Sequence, residues 1–241
     1  MVNELIAYCG PAAVPEDVWL RWNTDPVLIA ALAALAFWVT RRAANPRAGW
    51  AAIVLMALVF ISPLCALSSA LFSVRVLHHV ILVSAAAPLL ALAFPQRRAG
   101  VVPLALLVAA HAVALWVWHA PGPYAWGLAT VPGYWLMQIT LLGSAWWMWR
   151  AILANTTPNG SALVALAVTV GQMGLLGALI VFASVPLYPV HFASTLEWGF
   201  TPLSDQQLAG LLMWVPAMLP YLATGLWLAW TSLRPNTEVA L

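Results

Sequence analysis

Seven apolar runs, split by short polar or Pro/Gly-rich breaks, leave this chain few ways to fold. They lie near Pro26–Thr40, Gly49–Ala70, Val74–Phe94, Val101–Ala120, Pro132–Leu153, Ser161–Ser184 and Gln206–Trp230. A helix needs about 20 apolar residues to cross a bilayer. Only 7% of the 241 residues are charged, where a soluble domain carries about 25%. The pattern predicts an all-α membrane protein of seven transmembrane helices, with lipid as its solvent. It excludes a soluble globular domain, a disordered chain and a nucleic-acid binder. The basic residues are nine Arg and no Lys, so a retinal Schiff base is excluded as well.

One membrane domain over residues 1–241 is expected, with an outer N-terminal segment at 1–22 and an outer flap at 185–205. The first 22 residues hold Glu4, Glu16 and Asp17 and no basic start before an apolar run, so no cleavable signal is expected. Orientation follows from the Arg residues. Arg41, Arg42, Arg47, Arg97, Arg98, Arg150 and Arg234 fall on one side with Glu238, which makes that side cytoplasmic. Arg21 and Arg75 fall on the other with the remaining six acids: Glu4, Glu16, Asp17, Asp25, Glu197 and Asp205. The N-terminus is then outside and the C-terminus inside, in a bacterial inner membrane.

Asp25-Pro26 reads as a helix cap followed by a first-turn proline, and Ser204 or Asp205 as the cap of the seventh helix. Pro63, Pro88, Pro216 and Pro220 lie inside spans and are expected to kink them. Gly171, Gly174 and Gly177 are expected to mark close helix packing.

Ionisable groups inside a span mark function by default. His78 and His79 open span three, His111 lies midway along span four, His119 ends it, and His191 is in the flap. Counting ~1.5 Å per residue, Cys65, His79, Met137 and Met213 fall roughly 8–10 Å below the outer boundary, and His111 about 13–14 Å. Such a layer of His, Met and Cys donors suits copper, above all Cu(I), while the hard carboxylate ligands are absent from the span interiors. Each member also has a plainer reading. A lone His can bridge helices by hydrogen bonding, Met fills packing gaps, and Cys65 can be inert or bridged to Cys9. Arg75 stands one turn before His79 on the same face. It favours neutral, metal-binding imidazole, or it pairs an anionic group of a partner. His79 with His111 is the couple that could instead ligate haem. No nucleophile triad, phosphate loop or zincin motif occurs, so no enzyme activity is expected.

Several short stretches carry a resemblance across nearly the whole chain. They are Tyr8-Cys9-Gly10-Pro11, Trp22-Asn23-Thr24-Asp25-Pro26, Ser62-Pro63-Leu64-Cys65, Pro88-Leu89-Leu90, Trp118-His119-Ala120-Pro121 and Leu187-Tyr188-Pro189, with Arg75 and His78-His79 opening span three. The sharpest runs from Leu203-Ser204-Asp205-Gln206-Gln207-Leu208-Ala209-Gly210 to Met213-Trp214-Val215-Pro216. Together they resemble the seven-helix CtaG family of cytochrome c oxidase assembly factors, which is distinct from the single-helix copper chaperone of the same name. Many members open span three with His-Met-x-x-His. Here Arg75-Val76 replaces the first pair and His78 stands beside His79, so the i, i+4 pair of histidines is lost. The resemblance implies a role in maturing the copper centre of an oxidase's catalytic subunit, with a periplasmic copper donor as a further partner. The expected ligands are His78, His79 and His119, then His111, Cys65, Met137 and Met213, with Arg75, Cys9 and Asp205 supporting them or meeting a partner. Haem is the alternative cofactor, and a metal-free scaffold for an oxidase subunit the alternative role.

Overall fold

The computed structural model describes residues Tyr8–Leu233, so Glu4, Arg234 and Glu238 of the charge count lie outside the described residues. All regular structure among them is helical. The elements are α1 (Pro26–Arg42), α2 (Pro46–Phe60), α3 (Leu64–Ala70), α4 (Phe72–Val80), α5 (Ala87–Ala93), α6 (Leu104–His119), α7 (Pro121–Ala129), α8 (Val131–Ile152), α9 (Asn159–Phe182), α10 (Ser194–Glu197), α11 (Pro202–Trp214) and α12 (Leu219–Leu233). Each predicted apolar run is helical over most of its length. Among the described residues three stretches are long and apolar enough to cross a membrane: Phe72–Ala93, Asn159–Phe182 and Pro202–Leu233. The number rises to five if two bent pairs each count as one span, α2 with α3 (48°) and α6 with α7 (77°).

Asp25 caps α1 as expected, accepting from the Val27 amide at 2.8 Å. The prolines act in different ways. Pro63 sits at the α2–α3 bend, and Pro216 opens a 3-10 turn between α11 and α12. Pro220 lies in the first turn of α12, where its missing amide costs little. Pro88 does not break its helix. It removes the bond to Ser84 and pushes on that carbonyl, and Ile81–Ala86 relaxes into a π-helical turn that keeps Phe72–Ala93 continuous. The segment after His119, read from the sequence only as a break between apolar runs, is α7, because Pro121 is well placed to start a new helix.

α11 packs between α4 and α9, and α8 packs against both α5 and α6. Of the three spaced glycines, Gly177 makes the close approach: a Cβ there would stand 3.0 Å from the Gly210 carbonyl oxygen. Gly171 faces open space.

Polar contacts order the flap at one end of the bundle. Tyr188 donates its hydroxyl to the His119 carbonyl at 2.7 Å, and Gln206 accepts from the Leu187 amide at 2.6 Å. Ser194 donates to the Ala70 carbonyl, and the Trp198 indole reaches Ala13 of the N-terminal segment.

Candidate functional site

Most of the buried ionisable groups gather along α4 and the elements packed on it. Leu71, extended in backbone, breaks the helix after α3, and its side chain cannot cap the next one. Asp205 of α11 does so instead. Its carboxylate accepts from the Phe72 amide at 2.7 Å, from the Ser73 amide at 3.2 Å and from the Ser73 hydroxyl. The sequence reading placed Ser204 or Asp205 at the cap of this helix; Thr201 holds that position, accepting from the Ser204 amide at 3.1 Å. Asp205 fastens α4 to α11 across the bundle.

One turn into α4, Arg75 is 0% exposed. Its Nε donates to the Ser68 carbonyl at 3.2 Å, while Nη1 and Nη2 have no acceptor at full hydrogen-bonding geometry and face the Tyr124 and Tyr134 phenols. No ion pair reaches it among the described residues. Its guanidinium lies 5.2 Å from the Tyr134 ring centre, and the Tyr124 phenol is within electrostatic reach.

His78 and His79 follow on the same helix. The rings of His78, His79 and His119 form a row, with centres 5.9 Å and 5.6 Å apart. His119 donates Nδ1–H to the Leu115 carbonyl at 2.7 Å, which leaves Nε2 with its lone pair and no partner. Neither nitrogen of His78 has a partner, and its ring stands edge-on to Phe60. His79 keeps Nδ1 free and has the Gln138 amide 3.4 Å from Nε2. Three imidazole rings with unpartnered nitrogens fit a soft or borderline cation, since a buried imidazole without a partner is otherwise costly. No group of three or more His, Cys, Asp or Glu converges on one metal position among the described residues.

Other predicted ligands lie apart from this row. Cys65 is bonded to Cys9 in a disulfide, so its sulfur is no thiolate ligand here, and Cys9 takes the bridging role left open by the sequence. His111 bonds Ser144 of α8 at 3.0 Å. It precedes His119 by eight residues on α6, about 12 Å of rise. His79 stands beside His119, and no ring contact links it to His111 among the described residues. Met137 packs towards α7, where a Cβ on Gly127 would stand 3.4 Å from its sulfur, and Met213 is buried in α11.

Gln138, Tyr124 and Tyr134 belong to the site and were missed. Gln138 had a signal, being the one carboxamide inside span five. Tyr124 had none, because α7 was not foreseen.

His191 of the flap joins from above, its Nε2 2.7 Å from the Tyr124 hydroxyl. Burial, aided by Arg75, lowers its pKa from 6.5 to about 3. A histidine held neutral in this way stabilises the fold fully above pH 6.5, and the contribution fades as pH falls towards 3. Between pH 7 and 5 the loss attributable to His191 is about 2 kcal/mol. Chemical denaturation of the His191→Gln variant is expected to show a pH dependence weaker by that amount. An unchanged pH dependence would refute this role.

The sequence model of the family described as cytochrome c oxidase caa3 assembly factor (Caa3_CtaG) matches residues 101–235, more than half of the chain. It covers His111, His119, His191 and Asp205 but begins after the α4 cluster. No curated protein and no solved structure matches.

Proposed function

The chain belongs to the family of cytochrome c oxidase caa3 assembly factors, and from that premise we propose that it holds Cu(I) between His79 and His119 while an oxidase's copper centre is formed. One observation carries this reading: the row of His78, His79 and His119 with unpartnered nitrogens. His119 Nε2 is the best-defined donor, because the Leu115 carbonyl fixes its tautomer. His79 is the second donor and His78 the reserve, standing where an incoming protein could draw the ion away. Such a lean donor set suits transfer better than storage. The oxidase's catalytic subunit would be the acceptor and a periplasmic copper protein the donor. The protein acts as a chaperone and not as an enzyme.

In this reading the seven apolar runs are seven spans of a bacterial inner membrane. The bent pairs α2–α3 and α6–α7 each serve as one, and α1 and α8 join the three longer spans and these two. The Arg residues set the N-terminus and the histidine row on the periplasmic side.

Protein purified in detergent with reductant is expected to carry about one copper, and the His79→Ala/His119→Ala double variant none. Gln138→Ala removes the neighbour that steadies His79, and binding is expected to weaken about 10–100-fold. A copper-free preparation, with a double variant that still matures the oxidase, would overturn the proposal. A Soret band in its place would move the reading to haem.

A further inference from the structure

The Cys9–Cys65 disulfide joins the N-terminal segment to α3, and a structural tether would need nothing more. Its surroundings supply more. The bridge forms part of the wall of an open cavity of about 510 Å³, rimmed by Arg21, Trp22, Thr24 and Asp25. Trp22 and Thr24 are exposed. The two residues are unequal: Cys9 is 9% exposed and Cys65 is 0%. Each has its own hydrogen-bond donor. The Tyr134 hydroxyl lies 3.6 Å from Cys9 Sγ, and as a disulfide sulfur has no proton, the phenol donates. The Asn23 amide points at Cys65 Sγ from 3.9 Å. The unpaired guanidinium of Arg75 lies on the Tyr134 ring. Donors and a buried cation around a bridge are what its two thiolates would need once it opened.

We propose that Cys9–Cys65 is a thiol–disulfide exchange site whose substrate is a dithiol segment of a protein on the periplasmic side. A thiolate of the partner attacks Cys9 Sγ, the sulfur of the less buried of the two residues lining the cavity. The Cys9–Cys65 bond breaks, and Cys65 leaves as a thiolate onto the Asn23 amide. The partner's second thiolate then attacks its own sulfur in the mixed disulfide and releases Cys9 as a thiolate beside Tyr134 and Arg75. The partner is oxidised to a disulfide, this chain is reduced by two electrons, and the two protons of the partner's thiols pass to Cys9 and Cys65. A disulfide-bearing oxidant must then restore the bridge.

Charges around Cys9 set its reactivity. Arg75 favours the thiolate through Tyr134. Arg21 stands near Gly10 but is neutralised by Asp17 at 2.9 Å, and Asp25 is engaged by the Tyr8 hydroxyl. Asp25 keeps its charge, so the attraction on the thiolate comes from the Tyr134 hydroxyl with Arg75 behind it.

The test uses metal-free protein in detergent, so its outcome is independent of copper binding. Reduced glutathione is expected to open the bridge in folded wild-type protein and to leave a mixed disulfide on Cys9, located by peptide mass spectrometry. In Cys65→Ser, alkylation of Cys9 is expected to reach its half-point about one pH unit below the 8.5 of a free thiol. Adding Tyr134→Phe or Arg75→Gln should return it, slowing alkylation about tenfold at pH 7. A bridge that opens only when the wild-type protein unfolds would overturn the proposal without recourse to any variant. A Cys9 half-point at or above 8.5 would do so as well.

Discussion

Gly210→Ala is expected to destabilise the protein by about 3 kcal/mol, the upper part of the range for overpacking a close-packed contact. The added Cβ would stand 2.5 Å from Val181 Cγ2, 2.7 Å from the Gly177 carbonyl oxygen and 2.9 Å from the Val181 amide nitrogen. Two of the three are backbone atoms, so no rotamer change relieves the contact and α9 must move off α11. For a chain of this size the unfolding midpoint in detergent should fall by about 6–12 °C. Gly171→Ala is the matched control, because nothing lies within 4 Å of its added Cβ. There the better helix propensity of alanine should leave stability unchanged or raise it by up to about 1 kcal/mol. Equal midpoints for the two variants would show that the α9–α11 crossing is not fixed by Gly210.

That crossing illustrates what the sequence can and cannot reveal. Spacing by three marked Gly171, Gly174 and Gly177 as equivalent candidates, and only the partner helix tells them apart. The apolar runs themselves were legible because lipid demands length and the absence of charge, both local properties. Asp25 and Pro26 were legible for the same reason, since a cap acts within its own turn. Depth was not. Counting residues from a common boundary assumes straight, upright helices, and bends of 48° and 77° at the ends of two spans remove that assumption. The count therefore put Cys65 and His111 in one layer with His79. The fold instead commits Cys65 to Cys9 and leaves His111 bonded to Ser144. His79 and His119 survive as neighbours because both stand at the end of the bundle where the flap closes. Asp205 shows the opposite failure. Its cap role was read from local sequence, but the helix it serves begins 133 residues earlier in the chain.

The consequence is that the cluster's geometry hangs on a single carboxylate. Asp205→Ala would leave the Phe72 and Ser73 amides and the Ser73 hydroxyl facing a void, in a region where Phe72 is 1% and Ser73 2% exposed. Each buried donor without a partner costs about 1–3 kcal/mol, and water cannot easily replace the acceptor. The expected destabilisation is about 4 kcal/mol. Asp205→Asn keeps one acceptor oxygen but turns an amide donor towards those N–H groups, so about half of that loss is expected. The damage should concentrate on the first turn of α4, since Leu71 offers no cap of its own. Arg75 lies three residues beyond Phe72, and His78 and His79 follow within the next turn. Loosening that turn therefore moves the guanidinium off Tyr134 and the imidazole row out of register with His119. Hydrogen exchange gives the site-resolved measurement. The Phe72 and Ser73 amides should lose protection in Asp205→Ala before the amides of α8 and α9 do. Copper uptake should then fall in the order wild type, Asn variant, Ala variant. If the two amides exchange as slowly in the Ala variant as in wild type, α4 is held by packing alone. Asp205 would then be an ordinary buried carboxylate and not the fastening that sets the site.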